Sequence, residues 1–178
     1  MVDSNGDDYI MAVVPTPDDK YMIFWMEDAW PAASLKYSKI DAEGNVEIGW
    51  NPNGNSLSNA SSDSRHLQVK VIDDESGMIA VWIQDGNFSD IYAQSIDWDG
   101  NEVWDSGGIP VIEADNDQVN VSFDLMSQEH MLFLFGKIIE MVLILRSTVK
   151  LLILQVGPYS KMKYNFLLGT TDQFKTPA

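Results

Sequence analysis

The sequence has no cysteine, only two histidines, and only two arginines, Arg65 and Arg146, in 178 residues. Without cysteine there are no disulfides, thiolate metal sites or cysteine nucleophiles. The histidines, His66 and His130, form no H-E-x-x-H or H-x-x-x-H pair, and neither a G-x-S-x-G elbow nor a phosphate loop is present. Positive charge is scarce: 11 Lys and Arg face 27 Asp and Glu, a formal charge of −16. Binding to a phosphate backbone needs cations that displace counterions, so nucleic acid is disfavoured as a partner, and anionic membrane surfaces with it. The opening MVDSNGDDYI lacks a basic n-region and an apolar h-region. Any signal peptide is therefore expected to have been removed or to lie outside this sequence, as in a piece of a longer protein.

Apolar residues make up 45% of the chain and aromatic residues 11%, enough for a packed core. Their arrangement repeats. Tyr21 to Trp50, YMIFWMEDAWPAASLKYSKIDAEGNVEIGW, follows the same template as Gly77 to Trp104, GMIAVWIQDGNFSDIYAQSIDWDGNEVW. Trp25 matches Trp82, Asp28 matches Asp85, and Tyr37 matches Tyr92 with a small slip that also sets Ser38–Asp41 against Gln94–Asp97. Gly44-Asn45 matches Gly100-Asn101. NDQ near Asn116 and TDQ at Thr171 add a third landmark at the same spacing of about 55 residues, the length of a propeller blade.

Each unit reads as four short strands. Alternation and apolar runs predict strands at 9–15, 20–26, 34–41, 46–50, 67–73, 78–84, 90–97 and 101–105, with Asp-Gly type turns at Gly44-Asn45 and Gly100-Asn101. The expected fold is all-β: a propeller-like array of about three four-stranded meanders, each stacked on its neighbour, with the third disrupted. The expected units are 1–66, 67–115, 116–170 and the start of a fourth at 171–178.

The third unit should carry its own tryptophan strand just after His130. Instead, MLFLFGKIIEMVLILRSTVKLLIL runs from Met131 to Leu154. Permitted codons for Leu134 to Ile153, read after dropping two bases, give IWEDYRNGTDFEIYGQTID, the missing template. Most of that reading is forced, because two bases of every shifted codon are the first two of the next residue. The stretch from about 133 to 153 or later is therefore expected to be an out-of-frame translation of a third repeat. A transmembrane helix is disfavoured by Lys137, Glu140, Arg146 and Lys150. A buried helix has Ile138, Met141, Leu145 and Val149 at helical spacing.

The run WIQDGNFSDIYAQSIDWDGNEVW resembles the tandem β-propeller-type repeats of large secreted or surface-attached bacterial proteins, over about residues 9–133 in frame. Its outer hairpin is also similar to the blade hairpins of quinoprotein-like propellers. The resemblance implies a chain outside the cell or on its surface, whose partners are neighbouring blades of its parent and an extracellular protein or glycan. Trp25, Asp28, Trp82, Asp85, Tyr92, Gln94, Asp97, Gly100 and Trp104 define the repeat.

Candidate chemistry stands beside plainer readings. Asp97, Asp99 and Asn101, with Asp105, have oxygen-rich spacing that could take calcium, but Glu102 and Gly108 break the calcium-loop pattern, and a hairpin turn explains them as well. Asp28 and Asp85 could point into a binding face or cap strand-end turns. Trp25, Trp50, Trp82 and Trp104 could stack on sugars or pack blades. The turn Ser95–Trp104 resembles the Asp box of sialidase-like propellers, with one residue of departure. Glycoside hydrolysis would further need a carboxylate pair, and sialic acid an arginine cluster. The expected function is non-catalytic binding or structural display outside the cell, with neither catalytic nor cofactor-binding residues; the alternative is a carbohydrate-active propeller, lectin or sialidase-like glycosidase, completed by further blades.

Overall fold

A computed structural model describes residues 7–28, 32–59, 61–72, 76–112, 117, 121–127, 130–135, 138–141 and 154–156. These residues form an all-β chain without helix. Its strands are β1 (Asp7–Pro15), β2 (Tyr21–Asp28), β3 (Ser34–Ile40), β4 (Asn55–Ser56), β5 (Ser64–Val71), β6 (Met78–Asp85), β7 (Ser89–Ile96), β8 (Ile109–Ile112), β9 (Val121–Ser127), β10 (His130–Phe135), β11 (Ile138–Met141) and β12 (Leu154–Val156). They make three four-stranded antiparallel meanders, each with neighbours in chain order. No helix among the described residues is long and apolar enough to cross a membrane, which says nothing of a β-barrel.

Contacts divide the chain into two units, Met1–Val119 and Asn120–Ala178. The first holds two sheets, β1–β4 and β5–β8. Side chains alternate across a strand, so β2 sends Met22, Phe24 and Met26 to one face and Tyr21, Ile23 and Trp25 to the other. The first set packs with Val14, Leu35, Tyr37 and Leu57 against Leu67, Met78, Ala80 and Trp82 of the second sheet. Met22, Phe24, Leu35, Met78, Ala80 and Trp82 are fully buried. Each large apolar side chain removed from water in this way stabilises the unit by about 1.5–3 kcal/mol.

Register shows how the two sheets stack. Trp25 lies opposite Lys36, and Trp82 opposite Tyr92. With the tryptophans aligned, Met78, Ala80 and Trp82 correspond to Tyr21, Ile23 and Trp25. The second sheet thus meets the first with the face that the first sheet turns away. The sheets stack front to back.

Both sheets bulge at the same place. The ladder slips between Ile10 and Ala12 beside Trp25, and between Arg65 and Gln68 beside Trp82, where His66 takes a φ of 56°. A bulge inserts one residue and increases the local twist.

Several expectations need correction. The stretch 46–50 contributes only a bridge from Val46 to Ile40, and the fourth strand is the two-residue β4. The stretch 101–105 likewise gives one bridge, Glu102 to Ile96, and the pairing strand is β8. β5 begins at Ser64, inside the expected first repeat. Lys36, not Tyr37, occupies the place of Tyr92.

In the second unit, where a disrupted third blade is expected, β9 to β12 form their own four-stranded meander, because the apolar run pairs as strands, with Val121 and Phe123 buried. The apolar run contributes β10 and β11, so the helical spacing at Ile138 and Met141 falls on a strand. Residues 142–153 and 157–178, with the expected start of a fourth repeat, lie outside the described residues.

Candidate functional site

The best-built polar geometry lies in the hairpin turns and in the seam between the first two sheets. Asp41 Oδ1 accepts the amides of Glu43 (3.0 Å) and Asn45 (2.7 Å), and Asn45 Nδ2 donates to Asp41 Oδ2 at 3.0 Å. Asp97 Oδ1 accepts the amides of Asp99 (3.0 Å) and Asn101 (2.8 Å), and Asn101 Nδ2 donates to Asp97 Oδ2 at 2.9 Å. Gly44 and Gly100 complete the turns with φ of 85° and 83°. An aspartate side chain folded onto its own following amides is the ordinary way such a turn is closed. These bonds, those to Asn45 foremost, hold the Asp41 carboxyl below its usual range. Both oxygens of Asp97, the first calcium candidate, are engaged in this way. Asp99 is exposed and gives its amide to the turn.

The second turn is also where the first sheet docks. Tyr37 donates its hydroxyl to Gly100 O at 3.0 Å, and Lys39 Nζ donates to Trp98 O at 3.2 Å. The Trp50 ring lies against Gly100, where any Cβ would collide with it, and meets the Tyr37 ring edge-on at 6.2 Å. Burial, chiefly, with the charge of Glu102, pushes the Tyr37 hydroxyl up to about 12.

A second link recurs. Asp63 Oδ1 accepts Ala33 N at 2.7 Å, and Asp117 Oδ1 accepts Ser89 N at 3.0 Å. Asp63, just before β5, bonds Ala33, the residue ahead of β3, and Asp117 bonds Ser89, the first residue of β7. The sequence marks Asp117 only as the centre of the landmark NDQ and gives neither aspartate a role; the signal is that Asp63, in SDS, stands one repeat length earlier.

The remaining repeat-defining residues are structural in their contacts. Gln94, fully buried, accepts the amides of Ser95 and Trp104 on Oε1 and donates Nε2 to Asp105 O at 2.9 Å. Trp82 stacks on Tyr92 with centroids 6.2 Å apart and packs against Gly108, as Trp25 packs against Gly54. Asp85 pairs with Arg65 and accepts Ser89 Oγ at 2.7 Å, contacts made to side chains rather than to a turn backbone. Burial raises the Asp85 carboxyl, but Ser89 and Arg65 outweigh it and leave it below its usual range. Asp28 is exposed at the end of β2, opposite Asp7.

One cavity of about 350 Å³ opens along the seam, lined by Ser56, Ser58, Asn59, Gln84, Tyr92, Ser106, Gly107 and Gly108. Gln84 Oε1 accepts from Trp82 Nε1 and Asn59 N, and Ser58 Oγ accepts Leu35 N at 2.9 Å. The lining is hydroxyl, amide and glycine, with no charged side chain. Such a surface matches a neutral ligand rich in hydroxyls. Among the described residues, no three His, Asp or Glu side chains are grouped to hold a metal ion.

Compared with models of known protein families, with curated proteins and with solved structures, the chain matches none.

Proposed function

We propose that the chain is a stretch of a propeller-type repeat array that serves non-catalytic binding or structural display outside the cell. The observation that supports this most is the recurrence of the same bonds at Asp41 and Asp97, and again at Asp63 and Asp117. Acids copied into successive sheets in order to bond backbone amides are building parts, and a catalytic pair has no reason to be copied. The strongly acidic composition suits solubility in a salty exterior. Residues 1–63, 64–115 and 116–170 are read as successive repeats, the second opening with β5 at Ser64 and the third out of frame from about 133. The reading is tested by displaying the chain on cells or beads and measuring adhesion to surfaces coated with extracellular protein or glycan. Adhesion that survives Asp28→Asn and Asp85→Asn together, with no hydrolysis of any glycan, is the expected result; turnover would overturn it.

A lectin is the second reading, favoured by the uncharged cavity at Ser58 and Gln84. Sugar hydroxyls would exchange bonds with its serine, asparagine and glutamine groups, beside the Tyr92 ring. A glycan array tests it: binding lost in Gln84→Leu, with the fold retained, supports a lectin, and an array with no binding removes it.

A further inference from the structure

We propose that the outer face of the first sheet is a docking surface for one more four-stranded sheet of the same unit, joined in the chain ahead of Asp7. The occupant rests on the array reading above; the surface rests on geometry.

The second sheet shows what that face looks like when covered. Met78, Ala80 and Trp82 are sealed by the first sheet, Val69 packs beside them, and the Asp97–Asn101 turn receives Tyr37, Lys39 and Trp50. Register carries each of these positions onto the first sheet: Met78 onto Tyr21, Ala80 onto Ile23, Trp82 onto Trp25, Val69 onto Val13. There, Trp25 is buried against Gly54 within its own sheet and Ile23 is half-buried, but around them Tyr21 is 39% exposed, Val13 54%, and Ile10, opposite Trp25 on the same face, 71%. The receiving turn is present but unfilled. Gly44 has the φ of Gly100, yet no described residue lies within 4 Å of where its Cβ would stand. Ala42, in the place of Trp98, is exposed and offers the carbonyl that a lysine equivalent to Lys39 would reach.

Asp7 selects a covalently linked neighbour. It takes the place of Asp63, since Asp7 lies opposite Asp28 as the residue before Ser64 lies beside Asp85. Asp63 reaches back to Ala33 N of the sheet that precedes it in the chain. Asp7 would do the same for a sheet ahead of it. Apolar residues at the covered positions, a glycine that leaves room for a tryptophan ring, and an acid for the loop amide together describe the inner face of this same unit.

The test duplicates residues 7–62 within the full chain, so that Ser62 of the front copy runs into Asp7 of the next as it now runs into Asp63. Tyr21→Phe in the front copy leaves the second copy's Tyr21 as reporter, and its nitration is followed by peptide mass spectrometry. A severalfold slower nitration of Tyr21 than in the undoubled chain, with a higher urea midpoint, is expected. Trp50→Ala in the front copy should restore much of the reactivity. Unchanged nitration beside a folded front copy overturns the docking while leaving the array reading intact. A front copy that adds no β signal in circular dichroism overturns both, because its inner face was offered the surface it should fit. Protection of Tyr21 that rises with concentration in the undoubled chain would assign the face to a second copy and also overturn the proposal.

Discussion

Tyr37 on β3 reaches across the seam and donates its hydroxyl to Gly100 O, 3.0 Å away, while Trp50 covers the same glycine. Gly100 thus carries two demands, a left-handed backbone and room for a ring. Gly44 carries only the first. Substituting alanine at Gly44 should cost roughly 1–2 kcal/mol for the left-handed conformation alone. At Gly100 the same change should cost about 1–3 kcal/mol more, because the methyl collides with Trp50 in a packed interface. Urea denaturation of both variants checks this; equal losses would show that the seam does not depend on Trp50.

A second contrast lies on β3 and β7. Gln94 is fully buried and satisfies the amides of Ser95 and Trp104 and the carbonyl of Asp105, pinning the segment that follows the second turn. At the matching position Ser38 is buried, and its hydroxyl has no partner among the described residues. Gln94→Ala should destabilise by about 2–4 kcal/mol, since it leaves buried groups unpaired. Ser38→Ala should be neutral or slightly stabilising, since it deletes an unpaired hydroxyl. Thermal melts of the two variants decide it. A large loss for Ser38→Ala would mean that its hydroxyl is bonded in solution.

The pairing of Ser38 with Gln94 was legible in the sequence, and so were the inner strands. The runs at 20–26, 34–41, 78–84 and 90–97 lie within two residues of β2, β3, β6 and β7, because these carry aromatic and β-branched residues between turn signals. The closing strands were not legible. N-E-V-W after the Asp-Gly turn alternates like a strand, yet Gln94 captures Trp104 N, and the chain turns again through Gly107 and Gly108, both at φ 83°. The true strand, I-P-V-I, holds Pro110, which lowers its strand signal. The seam cavity was hidden for another reason: Ser58, Gln84 and Ser106 come from separate segments, and only packing brings them together.

Two carboxyls should respond to pH with opposite sign. Asp18, bonded by Thr16 and then Lys39, is lowered to about 2, so its contribution is fully present above the unfolded value near 3.8 and is lost as pH falls through about 2. Glu102 is raised by burial, against the bonds from Ser106 and Gly107. The folded state therefore holds its proton more tightly, and ionisation costs stability as pH rises past the unfolded value near 4.5. Glu102→Gln should be more stable than the parent at pH 7 and equal to it at pH 4. Asp18→Asn should be less stable at pH 7, with the deficit shrinking toward pH 2. Urea midpoints across this range give both signs, and a Glu102→Gln advantage that grows toward acid would refute the burial argument.

The apolar run from Met131 to Leu154 lacks the residues that build the matching strands of the second sheet. β6 and β7 carry Trp82 on Tyr92 and Gln94 on Trp104 N, contacts that need W, Y and Q at fixed places. Phe135 to Ile153 has none of these three residue types. The shifted reading IWEDYRNGTDFEIYGQTID supplies them, in the order of I-A-V-W-I-Q-D-G-N-F-S-D-I-Y-A-Q-S-I-D from Ile79 to Asp97. Replacing Leu134–Ile153 with that reading should raise stability cooperatively, because a repeat array gains most of its stability at interfaces between units. The gain should appear as a higher urea midpoint with a steeper transition, the slope following the added surface buried. Resequencing the source DNA checks the cause. A reading with no insertion or deletion near codon 134, relative to a full-length parent gene, would make the run native and leave the match to the shifted template without explanation.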